Sequence, residues 1–422
     1  DDPPPLPSAL LEALSPASWQ AALYHPLLVG DGPGNTPLVL DGTRLYLRRY
    51  WHHERSIQQH IAVKLGGESS ASSAGRPRFD DSTLPCDGTG TSGRPTLLGD
   101  GTGASGRPAL PGNGTGASGR PALPGNGTGA SGRPALPGDG AERRLDQAIN
   151  IDALSQALAA LFPATATLDW QKAACALAAR SPFAVITGGP GTGKTTTVVK
   201  LLALLQTLAL NEGSRALRIR LAAPTGKAAA RLNESIAGQV SSLQLDGLAT
   251  LWEAASAGEC SVDTLRSAIP TQVTTLHRLL GSRPDTRHFR HHAHHPLQLD
   301  VLVVDEASMV DVEMMAALLD ALPPRAHLVL LGDKDQLASV EAGSVLGDLC
   351  ARADGGHYTP DTADWLDRAT GQRLPADVID PDGRPLDQAI AMLRVSHRFD
   401  AESGIGRLAA AVNGNDTGRQ KR

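Results

Sequence analysis

An α/β fold, with a parallel sheet covered by helices on both faces, is predicted by three features of the 422-residue sequence. Four continuous apolar runs, 183–187, 218–223, 300–304 and 327–331, are separated by helical stretches, as expected of strands buried on both sides. The first run leads into GGPGTGKT at 188–195, a glycine-rich turn that opens a helix, and the third ends in the acidic pair Asp305 and Glu306. Hydrophobic residues make up 41% of the chain and charged residues 20%, which is ample apolar material for a sizeable core.

In chain order, residues 1–66 read as a small α+β unit. A helical pattern over 9–22 precedes two strand-like runs, 37–40 and 44–47, joined by Asp41-Gly42, a strong hairpin signal. The following segment, 48–61, carries Tyr50 and Trp51 beside Arg48 and Arg49; we read an aromatic anchor on a packed helix in preference to a nucleic-acid patch. Residues 67–141 hold four copies of a 13-residue unit of the type GTGASGRPALPGN, at 88–139, with 16 of the 45 glycines and 7 of the 30 prolines. Each unit has too little apolar side chain to offset backbone ordering, which predicts a disordered linker. Globular pattern resumes near residue 142: a helix is predicted over 144–162, ending at Pro163, and the alternating strands and helices follow to about residue 350.

The chemistry is carried by two elements. GGPGTGKT has the form G-x-x-x-x-G-K-[ST], with a strand before it and a helix after it, the context a phosphate-binding P-loop requires. Its backbone N–H groups, from Gly188, Gly189, Gly191, Thr192 and Gly193 around Pro190, and on through Lys194, Thr195 and Thr196, are read as the cradle for nucleotide phosphates. Lys194 supplies a point charge to the β/γ-phosphates, and the Thr195 hydroxyl with Asp305 completes a Mg2+ shell. Glu306 is placed to orient or deprotonate the attacking water. The bottom-up expectation is therefore a Mg2+-dependent ATPase.

The surrounding motifs resemble the superfamily 1 DNA helicases, and within them the RecD family, over about residues 37–414, interrupted by the repeats. DWQK at 169–172 resembles an adenine-reading element with Gln171 as the reader. APTGKAAARL and TTLHRLLG resemble motifs Ia and Ib, which implies single-stranded DNA contacts at Thr225, Gly226, Lys227, Thr275 and His277. LLGDKDQLASVEAG resembles motif III, with Gln336 sensing the γ-phosphate, and LRVSHRF resembles motif IV, with Arg398 reaching the same phosphate. The fold implied is a RecA-like P-loop lobe over 142–350, with an incomplete second RecA-like lobe at 351–422. The sequence stops at Arg422, before motifs V and VI, so weak turnover is expected of these residues alone.

The resemblance further implies ATP and Mg2+ as cofactors, and 5′-3′ unwinding of double-stranded DNA ends in recombinational break repair. It implies single-stranded DNA as the track, RecB and RecC as partners, and docking on RecC through residues 1–66. A non-motor scaffold on RecB and RecC and a stand-alone RecD-like helicase are the alternatives. A cytoplasmic protein is expected: no apolar run reaches the ~18 residues of a membrane span, no leader pattern opens the sequence, and the four cysteines form no CxxC pair. Net charge is −5, which excludes a uniformly basic coat while leaving room for a local groove. No paired carboxylate cluster of nuclease type stands out, so exonuclease chemistry would belong to a partner. The tract at 287–295 holds five of the thirteen histidines and is read as a solvated loop with opportunistic metal affinity.

Overall fold

The computed structural model describes residues 23, 25–66, 149–165, 167–212, 215–253, 261–336 and 345–395. The helical pattern at 9–22, the repeats, and the expected motif IV from Ser396 onward, Arg398 included, lie outside the described residues.

The N-terminal unit is a three-stranded sheet followed by a long helix. Strand β1 (Val29–Gly30) pairs parallel to β2 (Leu38–Asp41), which pairs antiparallel to β3 (Arg44–Leu47). Asp41 pairs with Arg44, so the two-residue loop is Gly42 and Thr43, one residue later than the sequence signal suggests, and Gly42 takes the left-handed φ of 61° that the turn needs. Helix α1 (Arg48–Lys64) buries Trp51, Ile57 and Ile61. Trp51 is an anchor: its indole Nε1 donates to Asp41 Oδ2 at 3.2 Å, and Arg55 lies over its ring. Arg48 turns back to donate to Gly32 O and Thr36 O, tying helix to sheet.

The main sheet has six parallel strands: β4 (Phe183–Gly188), β5 (Ile219–Ala223), β6 (Val273–Thr275), β7 (Val301–Val304), β8 (His327–Gly332) and β9 (Ile390–Leu393), in the spatial order β6-β5-β7-β8-β4-β9. Successive strand residues point to opposite faces, and both faces are dry. Ala184 and Ile186 of β4, with Val301 and Val303 of β7, enter one core layer. Helices α2 (Ile151–Leu161), α3 (Trp170–Arg180), α4 (Lys194–Asn211), α5 (Gly226–Ser242) and α11 (Pro360–Thr370) cover that layer. The alternate residues Phe183, Val185, Leu302 and Val304 enter the other layer. It is covered by α8 (Leu276–Leu280), α9 (Val312–Ala321), α10 (Val345–Leu349) and, from the N-terminal unit, Ile57 and Ile61 of α1. Two short helices, α6 (Asp246–Glu253) and α7 (Val262–Ala268), close the side near α4.

Two expectations change. A second lobe does not begin at residue 351: the chain from α10 onward returns to the first sheet and supplies its edge strand β9, parallel to β4 from Val185↔Ile390 to Gly188↔Leu393. The physical reason is burial of the P-loop strand on its second edge, secured by Tyr358, 1% exposed, whose hydroxyl donates to Ile390 O at 2.8 Å. The N-terminal unit also does not stand apart, because α1 packs along α9 and Lys64 Nζ donates to Ala326 O at 2.6 Å, just ahead of β8.

The start of the sheet is fixed by Asp300. Its carboxylate accepts from Arg215 Nη1 at 2.7 Å, Arg218 Nη2 at 2.9 Å and the Arg218 backbone N–H at 2.7 Å, clamping the entrances of β5 and β7. Burial pushes this carboxyl up, but the arginine hydrogen bonds outweigh it and hold it well below the usual carboxylate range. A depressed carboxyl contributes stability above the unfolded-state value of about 4 and loses it as pH falls toward the folded-state value. Asp300→Asn is therefore expected to cost about 2 kcal/mol at pH 7, with the gap to the parent shrinking below pH ~4. Urea unfolding at pH 7 and pH 3 checks this; an equal gap at both would place the loss elsewhere.

Candidate nucleotide and DNA site

A parallel sheet ends all its strands at one edge, and six loops meet there. β4 runs into the P-loop, where Gly191 and Gly193 adopt φ of 78° and 85° so that the chain can wrap before α4. A Cβ on Gly188 would meet the Leu393 carbonyl oxygen at 3.0 Å and Thr192 Oγ1 at 2.8 Å, so a side chain has no room at the loop's base. Thr192 Oγ1 donates to Gly189 O at 2.9 Å, and Lys194 Nζ donates to Gly188 O at 2.6 Å and Gly189 O at 3.2 Å, holding the ammonium against the loop it serves. Thr195 and Thr196 sit half-buried in the first turn of α4, and Pro190 is exposed at the loop's crown.

Gln171 joins this cradle from α3. Asp169 caps the helix, accepting from the N–H groups of Gln171 at 2.9 Å and Lys172 at 3.3 Å. The cap sets the helix start so that Gln171 Nε2 donates to Thr192 O at 3.2 Å.

β7 delivers Asp305 and Glu306 to the same edge. Burial pushes the Asp305 carboxyl up to about 6; the charge of Glu306 adds to the rise, while the Glu306 N–H and the Lys194 ammonium oppose it. Such a carboxyl gains most from a cation. With the Thr195 hydroxyl it makes a hard oxygen donor set, which suits Mg2+ completed by phosphate oxygens and water. The described residues hold no cluster of three or more His, Cys, Asp or Glu that could hold a metal ion. Glu306 has φ 52°, left-handed for a residue with a full side chain, and such strain collects at functional sites.

Gln336 follows β8. It is exposed, and its Oε1 accepts from Ser308 Oγ at 3.0 Å, which links it to the turn after the acidic pair. Ser308 and Thr187, whose Oγ1 accepts from the Lys334 N–H at 3.1 Å, are site residues that carry no sequence signal, because both contacts are long-range.

The five residues expected to meet DNA lie on the other side of β7. Thr225 caps α5 by accepting from Ala228 N–H at 3.2 Å, and Thr275 caps α8 by accepting from Arg278 N–H at 3.2 Å. Each hydroxyl keeps its own proton to donate. Because β5 and β6 are neighbours, the two helix N-termini stand side by side, with Gly226, Lys227 and His277 exposed around them. His277 sits edge-on to Phe289 at 6.0 Å between ring centroids. In the histidine-rich segment, His288, His292, His294 and His295 are exposed, and His291 and His295 face each other across a tight turn.

Comparisons with known proteins show what the chain is similar to. The family described as AAA domain matches residues 171–342, and that described as RecBCD enzyme subunit RecD, N-terminal domain, matches residues 1–46. The RecBCD enzyme subunit RecD of Haemophilus influenzae is 45% identical over 266 residues, covering 63% of this chain and 38% of the relative.

The chain is similar to RecD subunits along these stretches.

The RecD subunit of Mycolicibacterium smegmatis is 43% identical over 252 residues, 60% of this chain and 36% of that one. The ATP-dependent RecD2 DNA helicase of Deinococcus radiodurans is 39% identical over 159 residues, 38% of this chain and 16% of that one. The chain thus spans under two-fifths of the length of the RecD subunits it matches, at 38% and 36%.

The strain at Glu306 separates stability from chemistry. Glu306→Gly is expected to leave the thermal midpoint unchanged or slightly raised, because relief of about 1 kcal/mol of backbone strain offsets the entropy that glycine adds to the unfolded chain. ATP turnover should fall about 100-fold. Calorimetry beside a phosphate-release assay checks both; a clearly lowered midpoint would give the Glu306 side chain a part in holding the fold.

Proposed function

We propose that this chain is a RecD-family protein and carries the ATP-hydrolysing lobe of a 5′-3′ DNA helicase subunit. In this reading it works with RecB and RecC on double-stranded DNA ends during recombinational repair, in the cytoplasm. The observation that carries the reading is the division of one sheet edge: nucleotide-type residues occupy the ends of β4, β7 and β8, and phosphate-contact residues occupy the ends of β5 and β6.

Lys194 moves from the loop carbonyls to the β/γ-phosphates of ATP, while the backbone N–H groups of Gly191 to Thr196 surround the remaining oxygens. Thr195 and Asp305 hold Mg2+, which when bound neutralises phosphate charge. Glu306 orients the attacking water and accepts its proton. Gln336, paired with Ser308, registers the γ-phosphate, and Arg398 is proposed to approach it from the far side. Gln171 reads adenine through its amide. Thr225 and Thr275 donate to the phosphates of single-stranded DNA, with Lys227 adding charge and His277 an aromatic face. Movement of Asp305 and Glu306 on β7 reaches β5 through direct strand pairing, a short path between hydrolysis and the DNA side.

Docking on a partner subunit is proposed for the N-terminal sheet, whose Leu27, Leu28, Leu45 and Leu47 are 76%, 49%, 42% and 51% exposed. Grouped apolar side chains of this kind mark an interaction face. Among the described residues no helix is long and apolar enough to cross a membrane.

Lys194→Gln in the assembled complex is expected to lower the ATP turnover contributed by this subunit by about 100-fold or more, with assembly intact. Co-purification with RecB and RecC and a helicase assay on 5′-tailed duplexes check the two halves. Full unwinding by the variant complex would favour the scaffold reading, and failure to co-purify would favour a stand-alone helicase.

A further inference from the structure

The P-loop strand β4 lies between β8 and β9, so the P-loop rises between the segments that leave those two strands. A short helical turn, Ala353–Gly355, bridges these segments. On one side Lys334, the second residue after β8, is 14% exposed, and its Nζ lies 2.7 Å from Asp335 Oδ1 and 3.1 Å from Asp354 Oδ2. On the other side Arg394, the first residue after β9, donates through Nη2 to Asp354 O at 2.7 Å. The same guanidinium lies over the Trp170 ring, 4.9 Å from its centroid, next to Gln171. The turn is pinned from behind: Arg352 reaches Asp387 at 3.3 Å and Asp380 at 3.4 Å, and His357 Nδ1 lies 2.7 Å from Asp380 Oδ2.

We propose that Lys334, Asp354 and Arg394 are positioning residues for nucleotide turnover. They form a strap, Lys334 to Asp354 to Arg394, that makes the Gln336 loop and the end of β9 move as one body. Its role is geometric: Gln336 stands two residues beyond Lys334, so tying Lys334 through Asp354 to the end of β9 fixes the register from which Gln336 approaches the γ-phosphate. Arg394 stacked on Trp170 adds the adenine-reading helix to the same body. Charged hydrogen bonds suit this task because they resist being pulled out of line more than apolar contact does. The proposal rests on the reading that this P-loop hydrolyses ATP.

The test is a double-mutant cycle in the full-length subunit that carries these residues, with poly(dT) as the DNA. Lys334→Met and Arg394→Met are each expected to lower DNA-stimulated kcat about tenfold while leaving KM for ATP within about twofold, and the double variant to be no slower than the slower single. Asp354→Ala should match Lys334→Met, and Asp354→Glu should restore most of the rate. Thermal midpoints taken alongside confirm that each variant is folded. Multiplicative losses in the double variant overturn the strap, as does a raised KM at unchanged kcat. Lys194→Gln run in parallel keeps the two ideas apart. If it retains turnover, the ATPase reading itself fails; if it abolishes turnover while the strap variants behave as the parent, the strap alone is wrong.

Discussion

Everything at the functional edge depends on how closely the base of the P-loop approaches the end of β9. Gly188 must bring its backbone against the Leu393 carbonyl with no side chain between them. That contact places the loop between two parallel neighbours, β8 and β9, instead of at a free sheet edge. A glycine-rich loop has little side-chain packing of its own and would sample many conformations. Flanked on both sides, and followed at once by a helix whose residues from Thr197 to Ala209 are nearly all buried, it is held in one. Pre-organisation of this kind is what lets backbone N–H groups act on phosphate without first being ordered.

The same strand order explains how two chemistries share one edge without interfering. β7 is the boundary: to one side it pairs with β8, next to the P-loop strand, and to the other with β5, whose loop opens α5. Asp305 and Glu306 therefore sit two strands from the phosphate cradle and one strand from the Thr225 cap. Both threonine caps illustrate how a structural hydrogen bond leaves functional capacity intact. The oxygen is committed to the helix, while the proton remains free to meet an anionic backbone.

How far this was legible in the sequence follows the range of the interactions involved. The strands at 183–188, 219–223, 301–304 and 327–332 show as largely apolar runs, interrupted by the exposed Arg220 and opened by His327, because the sheet is covered on both faces. The P-loop and the acidic pair show because local spacing alone specifies their chemistry. β6 and β9, of three and four residues, are too short to stand out from the loops around them. β9 also lies just ahead of LRVSHRF, whose resemblance to motif IV drew the lobe boundary to residue 351 when the first sheet in fact runs on to Leu393. Ser308, Thr187, Lys334 and Arg394 act through partners 20 to 147 positions away in sequence, and no periodicity encodes such pairs.

The position of the N-terminal unit bears on what partner docking can do. Ile57 and Ile61 of α1 belong to the core layer that also contains Met314, Met315 and Leu318 of α9, the helix that follows the acidic pair. His53, half-buried on α1, lies within the field of Asp311 and Glu313 at the start of α9, while Lys64 holds the carbonyl of Ala326 beyond its far end. α1 thus braces α9 at both ends, and α9 begins with Asp311, the cap whose Oδ1 accepts from Met314 N–H at 2.7 Å. A partner bound to the exposed leucines of the hairpin would load α1 directly, because Arg48 and Trp51 tie the helix to that sheet. Rigid packing passes displacement on better than a flexible tether does, since a close-packed core has few soft modes to absorb it. The proposed docking face and the proposed hydrolytic edge are in this sense built on one continuous core, because α1 and α9 share the same hydrophobic layer.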